Sequence, residues 1–508
     1  MRILTKSQAQ TLDKIAMDDF SIPGTTLMGN AGEQITNHIE SILSGISSPK
    51  IGIVCGKGSN GGDGFSAGDL LHNLGFNITI YALMEPADIV GDSRVFHDRC
   101  VKNNISIFYS KSVPESKPNF DLMVDSIIGT GCEGELRSWL RPWVSWLNEN
   151  PVTLSVDIPT GVSATTGRVA QDAVKANFTI TMGSVKLGMA LEPGKSYCGK
   201  IYSADIGFPS IEDNLDGRSY NLIEEKHIQS LIDPLAKTTH KYLQGKVLVL
   251  AGSSGMTGAA YLTSMAALRS GAGLVISFAP ESLHNIYELK ITEGMTIPCA
   301  DKGKGYFALE NFNTIMDRVD WCDVMVLGPG LGNNHETSLL VEQLVKHVKK
   351  PLVIDADGLR PFYKKLSQFS PYMNKAVLTP HIGELSNLIG KPSDEVSNDL
   401  PAAVETLMDD FPGILLAKFS PSLVAWQSKG YVNSTGNPGL ATAGSGDVLS
   451  GMIASFIAQG MDPLNATNIG MYLHGKAGDQ LASKLSQRGL ISSDILNQIV
   501  TLLSDYES

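Results

Sequence analysis

Gly436-Asn437-Pro438-Gly439-Leu440-Ala441-Thr442-Ala443-Gly444-Ser445-Gly446-Asp447 runs directly into the apolar residues Val448, Leu449, Met452 and Ile453. The apolar spacing predicts a helix, and the first backbone N–H groups of such a helix lack partners, which makes an anion site. Glycines let the main chain approach a phosphate closely. Asp447, in the first turn, stands where it can take a proton from a group held beside that phosphate. Taken alone, such a stretch is more often an ordinary glycine turn with an acidic helix start. The segments around it favour phosphate-dependent chemistry with Asp447 as base.

Outward from this turn, short apolar runs recur, each followed by a polar or glycine-rich loop and a helical pattern: Ile51–Cys55, Leu122–Ser126, Val152–Val156, Val247–Ala251, Val324–Leu327, Leu352–Ile354, Ala376–Leu378 and Ile414–Ala417. Such alternation predicts α/β architecture with parallel sheets and ligands beyond the carboxyl ends of the strands, where every glycine motif of this chain falls. The chain has 508 residues, more than a single core holds, so two or three domains are expected. The polar stretch Pro209–Arg218 breaks the rhythm and divides the chain into 1–218 and 219–508, with Ser219–Lys246 as a connecting segment.

A net charge of −12 excludes non-specific nucleic-acid binding and attachment to anionic membranes. No apolar run approaches the roughly 20 residues needed to cross a bilayer. The N-terminus has no apolar signal core and reads as an amphipathic helix presenting Ala9, Leu12, Ile15, Ala16 and Phe20. Six cysteines without a CxxC pair imply neither zinc nor a disulfide framework, and a cytoplasmic location is expected. The small-residue helices and the N-terminal helix suit self-association into a homo-oligomer, and core packing accounts for them equally well.

In the first half, strand Ile51–Cys55 leads into Gly56-Lys57-Gly58-Ser59-Asn60-Gly61-Gly62-Asp63-Gly64. This loop has neither the GxGxxG order of a dinucleotide fold nor the GK[ST] of a Walker loop. Two further strands end in Asp125-Ser126-Ile127-Ile128-Gly129-Thr130-Gly131 and Asp157-Ile158-Pro159-Thr160-Gly161. Acidic groups at neighbouring strand ends, with Asn60 and Thr160 oxygens, are the donors a hard cation takes. Each aspartate singly is also a common helix cap or loop anchor. SNGGDG, DSIIGTG and SVDIPTG in this order resemble the epimerase domain of the NAD(P)H-hydrate repair enzymes, over roughly residues 1–210. The resemblance implies a Rossmann-like three-layer domain in which Ser59, Asn60, Gly61, Gly62 and Asp63, with Gly129, Thr130, Gly131, Cys132, Glu133, Gly134 and Glu135, hold the damaged nucleotide. It also implies a potassium ion on Asn60, Asp125 and Thr160, and Asp157 as acid/base against the substrate. Lys186 reads either as a phosphate contact or as a surface lysine. Gly29, in LMGNAG, stands where the family commonly carries a bulkier polar or acidic residue.

The second half carries Gly252-Ser253-Ser254-Gly255-Met256-Thr257-Gly258-Ala259-Ala260, then Gly328-Pro329-Gly330-Leu331-Gly332, Asp355-Ala356-Asp357-Gly358 and Thr379-Pro380-His381-Ile382-Gly383-Glu384, each after a strand. If those strands are neighbours, their loops share one crevice with Asp447. Asp355 and Asp357 read as turn caps or as ligand contacts alike, and His474, on a helix expected over Ile469–Ala482, reads as structural. GSSGMTGAAYL, GPGLG, DADGL, TPHIGE and GNPGLATAGSGDVLSG in order resemble the ribokinase-like superfamily and, within it, the ADP-dependent NAD(P)H-hydrate dehydratases, over roughly residues 225–505. By that resemblance Ala259, Gly332, His381 and Asp447 contact the hydrated dinucleotide. Lys418, Phe419, Ser420, Pro421, Ser422 and Gly446 contact the adenosine phosphate, with ADP as co-substrate, AMP as its product and magnesium neutralising phosphate charge. Phe419 stands where the family more often has glycine, which puts the path of that loop in question.

The two resemblances together imply a fused repair enzyme acting on hydrated NADH and NADPH. The alternative is an ATP-dependent small-molecule kinase of the ribokinase-like superfamily with a non-catalytic nucleotide-binding N-terminal module, since the GxGD base is common to both.

Overall fold

The computed structural model describes residues 1–211 and 215–506, so Glu212–Asn214, in the middle of the polar stretch Pro209–Arg218, lie outside the described residues. The chain forms two compact units that part between Tyr220 and Asn221.

The first unit runs β1 (Arg2–Leu4), α1 (Lys6–Asp18), α2 (Gly24–Ile42), β2 (Lys50–Cys55), α3 (Ser59–Asn73), β3 (Asn77–Ala82), α4 (Asp92–Lys102), β4 (Ser106–Tyr109), β5 (Leu122–Ser126), α5 (Arg141–Glu149), β6 (Thr153–Val156), β7 (Phe178–Met182), β8 (Val185–Lys186) and β9 (Lys200–Ala204). Its seven-stranded sheet has the order β4-β3-β2-β5-β6-β7-β9, parallel throughout. Successive side chains of a strand face opposite ways, and β2 shows it. Ile51 and Ile53 join the core under Leu27, Ile35, Phe65 and Phe96 of α2, α3 and α4, whereas Val54 joins Trp143, Trp146 and Leu147 of α5 on the other face. The strand order reverses between β2 and β5, which opens a crevice beyond their carboxyl ends.

The N-terminal segment departs from the expected continuous helix. Arg2–Leu4 pairs in parallel with β8, and α1 starts only after Thr5, whose side chain and that of Gln8 form a capping box. Leu12 and Ala16 are buried as expected, but Phe20 lies beyond the end of α1 and is 52% exposed. Gly29, on α2, has only the Phe96 ring near its missing side chain.

The second unit contains β10 (Lys246–Leu250), α6 (Thr257–Arg269), β11 (Leu274–Pro280), β12 (Met295–Cys299), β13 (Val324–Leu327), α7 (His335–His347), β14 (Leu352–Ile354), β15 (Ala376–Leu378), α8 (Ile382–Ile389), β16 (Ile414–Ala417), β17 (Leu423–Trp426), β18 (Lys429–Val432), α9 (Ser445–Ala458), α10 (Pro463–Lys484) and α11 (Ser492–Leu503). The strands follow the order β12-β11-β10-β13-β14-β15-β16-β17-β18. They pair in parallel as far as β16, and β17 and β18 add an antiparallel edge. Val247, Val249, Val324, Val326, Val353 and Val377 form one core with α6, α9, α10 and α11. Here the order reverses between β10 and β13. Because β10, β13, β14, β15 and β16 are consecutive neighbours, the loops after them do share one crevice. Each of the eight strands expected from the sequence is present within one residue of its expected bounds. All six cysteines are free and buried.

The first crevice depends on close backbone approach at Gly56, whose N–H donates to the Ser126 carbonyl at 2.9 Å. A Cβ there would stand 1.9 Å from the Ile127 carbonyl oxygen, whereas at Gly58, two residues on, it would meet nothing within 4 Å. Gly56→Ala is therefore expected to destabilise the unit by about 2 kcal/mol or more, and Gly58→Ala by less than about 0.5 kcal/mol. Thermal or denaturant unfolding of the two variants checks this, and equal midpoints would contradict the assigned contact.

Candidate functional site

The loops after β2, β5 and β6, together with α1 and β8, enclose a cavity of about 930 Å³. Ser59, Asn60, Asp63, Gly129, Thr130, Gly131, Cys132, Glu133, Glu135 and Asp157 line it. Gly61 and Gly62 sit behind this wall, packed on the Gly56 carbonyl and on Met28 and Ser93. Gly134 is exposed and is not part of the lining.

Asp157 follows β6 with φ at +65°, a left-handed conformation that costs an L-residue about 1 kcal/mol or more and that collects at functional sites. Its Oδ2 accepts from the Thr130 N–H at 3.2 Å, and its Oδ1 is ion-paired with Lys186 Nζ. Lys186 corrects both sequence readings: it is 3% exposed, so it is neither a surface lysine nor a free phosphate contact. It also donates to Thr181 Oγ1 at 2.8 Å and to the Met182 carbonyl at 2.9 Å, so all three of its ammonium donors are engaged inside the protein. Pairing of β8 with β1, register Leu4 to Lys186, seats it there.

Two other carboxyls of the lining, those of Asp63 and Asp13, have raised proton affinity. Burial pushes the Asp63 carboxyl well above its usual range, with Asp157 and Asp13 adding to the shift. Asp13, on α1, is pushed up to about 6, by burial first and by Asp157, against the opposing charge of Lys186. Asp13 is exposed to solvent as a residue and also lines the cavity. Sequence reading missed Asp13. The signal was there, since it sits beside Leu12 on a helix whose apolar face is buried, but nothing local says what that flank faces.

Asp125 is completely buried. It accepts from Thr160 Oγ1 at 2.7 Å, Thr160 N–H at 2.9 Å, Ser155 Oγ at 2.9 Å and Ile127 N–H at 3.3 Å. Burial raises its pKa against these hydrogen bonds. Asn60 Oδ1 and Nδ2 are buried without a partner, a cost that a native fold bears where something else fills the site. Among the described residues no group of three or more His, Cys, Asp or Glu side chains is arranged to hold a metal ion.

In the second unit the switch-point loops interlock. Gly252 N–H donates to the Pro329 carbonyl at 2.7 Å, and Ser253 Oγ to the Gly330 carbonyl at 2.8 Å. Ala259 packs against Gly330, and Gly332 N–H donates to Asp357 Oδ2 at 2.8 Å while Arg360 holds the other Asp357 oxygen at 2.6 Å. His381 caps α8: its Nδ1 accepts from the N–H groups of Gly383 and Glu384, its Nε2 lies 3.4 Å from Glu384 Oε1, and its side chain is 60% exposed. Next to it, Lys418 N–H donates to the Pro380 carbonyl at 2.8 Å.

Lys418 Nζ forms a 2.6 Å ion pair with Asp355, a residue 1% exposed that also accepts from Ser450 Oγ at 2.8 Å. Burial opposes the charge on both partners, yet their mutual attraction wins, holding Asp355 below its usual range and Lys418 above. A Cβ on Gly446 would come 3.1 Å from Lys418 Nζ, so the helix start and the lysine adjoin. Phe419 is not among the residues with positive φ, so the doubt about its backbone falls away; the turn through Ser420, Pro421 and Ser422 joins β16 to β17.

Asp447 has no hydrogen bond or ion pair among the described residues, and burial, with the nearby Asp355, pushes its pKa up to about 6. At neutral pH it is mostly an unpartnered carboxylate at the positive end of α9, beside backbone donors. Gly444, at φ +85°, turns the chain into that helix.

The profile described as NAD(P)H-hydrate dehydratase matches residues 247–501, and that described as YjeF-related protein N-terminus matches residues 24–188. The Bifunctional NAD(P)H-hydrate repair enzyme Nnr of Moorella thermoacetica is 33% identical over 526 residues, covering 100% of this chain and 97% of the relative. Its namesake in Thermofilum pendens is 32% identical over 521 residues, covering 100% and 98%. Among solved structures, a ribokinase-like superfamily protein from Enterococcus faecalis superposes with a TM-score of 0.50 at 24% identity, covering 57% of this chain and 97% of that one, which shows the fold of the second unit.

His474, on α10, is buried and hydrogen-bonded at 3.1 Å to Ser445 Oγ, at the start of α9. Burial holds its pKa down at about 4 from 6.5. A base depressed on folding contributes full stability above pH 6.5, and that stability is lost as pH falls towards 4, up to about 3 kcal/mol at about 1.4 kcal/mol per unit. His474→Gln should flatten the loss of stability between pH 6.5 and 4 in denaturant titrations. An acid limb equally steep in both proteins would exclude His474 as its source.

Proposed function

Because this chain belongs to the family of bifunctional NAD(P)H-hydrate repair enzymes, we propose that residues 1–218 equilibrate the R and S hydrates of NADH and NADPH, and that residues 219–508 dehydrate the S form at the expense of ADP. The observation that carries the reading is Asp447, an unpartnered carboxylate in the first turn of a helix beside the buried pair of Lys418 and Asp355.

In the dehydratase, Asp447 takes the proton of the ring hydroxyl as that oxygen attacks the terminal phosphorus of ADP, and AMP departs. Phosphorylation turns a poor leaving group into a good one. The C–O bond then breaks with its electron pair on phosphate, and loss of a proton from the neighbouring carbon restores the ring double bond. Backbone N–H groups at Gly446 and Asp447 hold the charge that develops on the transferring phosphoryl group. Lys418 offsets phosphate charge from its place beside Gly446, and the turn through Ser422 borders the adenosine side. Ala259, Gly332 and His381 flank the hydrated nucleotide. Magnesium would supply charge neutralisation on the phosphates.

In the epimerase, Asp157 exchanges a proton with the hydroxyl of the hydrated carbon while the loops of Ser59–Asp63 and Gly129–Glu135 hold the nucleotide. Asn60, Asp125 and Thr160 would hold a potassium ion. The orphaned Asn60 amide and the fully buried Asp125, which has no cationic side-chain partner among the described residues, fit such an ion, which would offset the Asp125 charge. Fusing the two activities is chemically economical, since a dehydratase selective for one epimer leaves the other unrepaired.

The test adds protein to mixed R and S hydrates of NADH with ADP, with ATP or with neither, and follows the reduced-nicotinamide absorbance. The wild type should recover both epimers, Asp447→Asn should lose dehydration by about 100-fold or more, and Asp157→Asn should recover only the S fraction. Removing divalent cations with a chelator should slow the ADP-dependent step. No recovery with either nucleotide, or phosphoryl transfer to a stable product, would sink the repair reading and favour a small-molecule kinase.

A further inference from the structure

Inverting a carbon that bears a hydroxyl and a ring nitrogen by ring opening needs two proton transfers at two different atoms. The hydroxyl gives up its proton as the C=O bond forms, the C–N bond breaks with its electron pair on nitrogen, and the nitrogen side takes up a proton. After rotation about the carbon–carbon single bond that the ring had held fixed, closure on the other face reverses both transfers, so no proton is gained or lost overall. Asp157 accounts for one transfer. Its partner Lys186 is not available for the other, because its three N–H donors are committed to Asp157, Thr181 and the Met182 carbonyl.

Asp13 stands on a different element, α1, whose cavity side presents Ala9, Asp13 and Met17 at four-residue spacing. The adjoining stripe of that helix is locked, with Leu12 and Ala16 buried. Its start is locked too, since β1 pairs with the strand that carries Lys186 and the Thr5–Gln8 capping box follows at once. The pose of Asp13 is therefore tied by backbone pairing to the strand that positions Asp157. Its carboxyl has no hydrogen bond or ion pair among the described residues. The charged groups that face it are Lys186 from β8, Asp157 from the turn after β6 and Asp63 from α3. Asp63 is 9% exposed in the first turns of α3, and burial, with Asp157 and Asp13, pushes its carboxyl well above the usual range. A group that must both give and recover a proton needs an affinity nearer neutrality, and Asp13, at about 6, has it.

We propose that Asp13 is the second proton-transfer group of the epimerase site, delivering a proton to the ring nitrogen while Asp157 accepts one from the hydroxyl, and exchanging roles with it on closure. This rests on the epimerase reading above. The working state has Asp13 protonated and Asp157 ionised, so the rate falls as pH rises through about 6.

The test uses the full chain with ADP and the R hydrate of NADH over a range of pH, with recovery of the S hydrate as an internal control. If the wild type leaves the R hydrate unrecovered, the epimerase reading fails and takes this proposal with it. If the wild type recovers it, Asp13→Asn should lower kcat for the R hydrate about 100-fold with KM within a few-fold, and should abolish the limb near pH 6. Asp13→Glu, which keeps the carboxyl, should regain part of the rate and the limb. A kcat within a few-fold of wild type in Asp13→Asn, the same limb in both proteins, or a loss confined to KM would overturn the proposal. So would equal losses in the Asn and Glu variants, which point to packing rather than proton transfer.

Discussion

Parallel pairing is the constraint on which both sites depend. When neighbouring strands run the same way, all their carboxyl ends emerge on one edge, and where the strand order reverses the connections separate and leave a crevice. The first unit has this reversal between β2 and β5 and the second between β10 and β13. At each switch point backbone meets backbone, at Gly56 to Ser126 and at Gly252 to Pro329. That closeness explains why glycine motifs follow these particular strands.

Each site also contains a buried lysine–aspartate pair, used differently. Burying two opposite charges costs desolvation free energy that their attraction and further hydrogen bonds must offset. Lys186 with Asp157 and Lys418 with Asp355 both meet that condition, with Thr181, Met182 and Ser450 completing the shells. In the first unit the paired aspartate itself faces the cavity. In the second, the pair sits behind an unpaired Asp447 and affects its proton affinity through space, Asp355 raising it and Lys418 lowering it. One device thus orients a carboxylate that faces the cavity, and the other adjusts the proton affinity of a neighbour.

Much of the fold was legible locally. Apolar runs such as Val324–Leu327 and Leu352–Ile354 are buried on both faces and leave no alternation to misread, so their strands fall where the composition puts them. Local reading failed where a partner distant in sequence decides. Arg2–Leu4 is too short to declare itself a strand, and only pairing with Val185–Lys186 makes it one. Phe419 invited doubt because a single substitution was judged against a backbone angle that the loop does not adopt. Gly61 and Gly62 looked like lining and prove to be packing points, since glycine serves a ligand and a tight helix contact by the same lack of a side chain.

The sequence by itself determined the α/β class, the strands, the glycine turns behind them and the identity of the carboxylates at their ends, including Asp447 and Asp157, because these follow from apolar runs and from residues adjacent in the chain. Only the tertiary structure decided which groups meet and what state they hold. It set Lys186 against Asp157, turned Asp13 into the same cavity, and left Asn60 and Asp447 without partners. The physical reason is that burial and electrostatic pairing depend on distances across the fold, between residues as far apart in the chain as Asp13 and Lys186, and no local pattern encodes those distances.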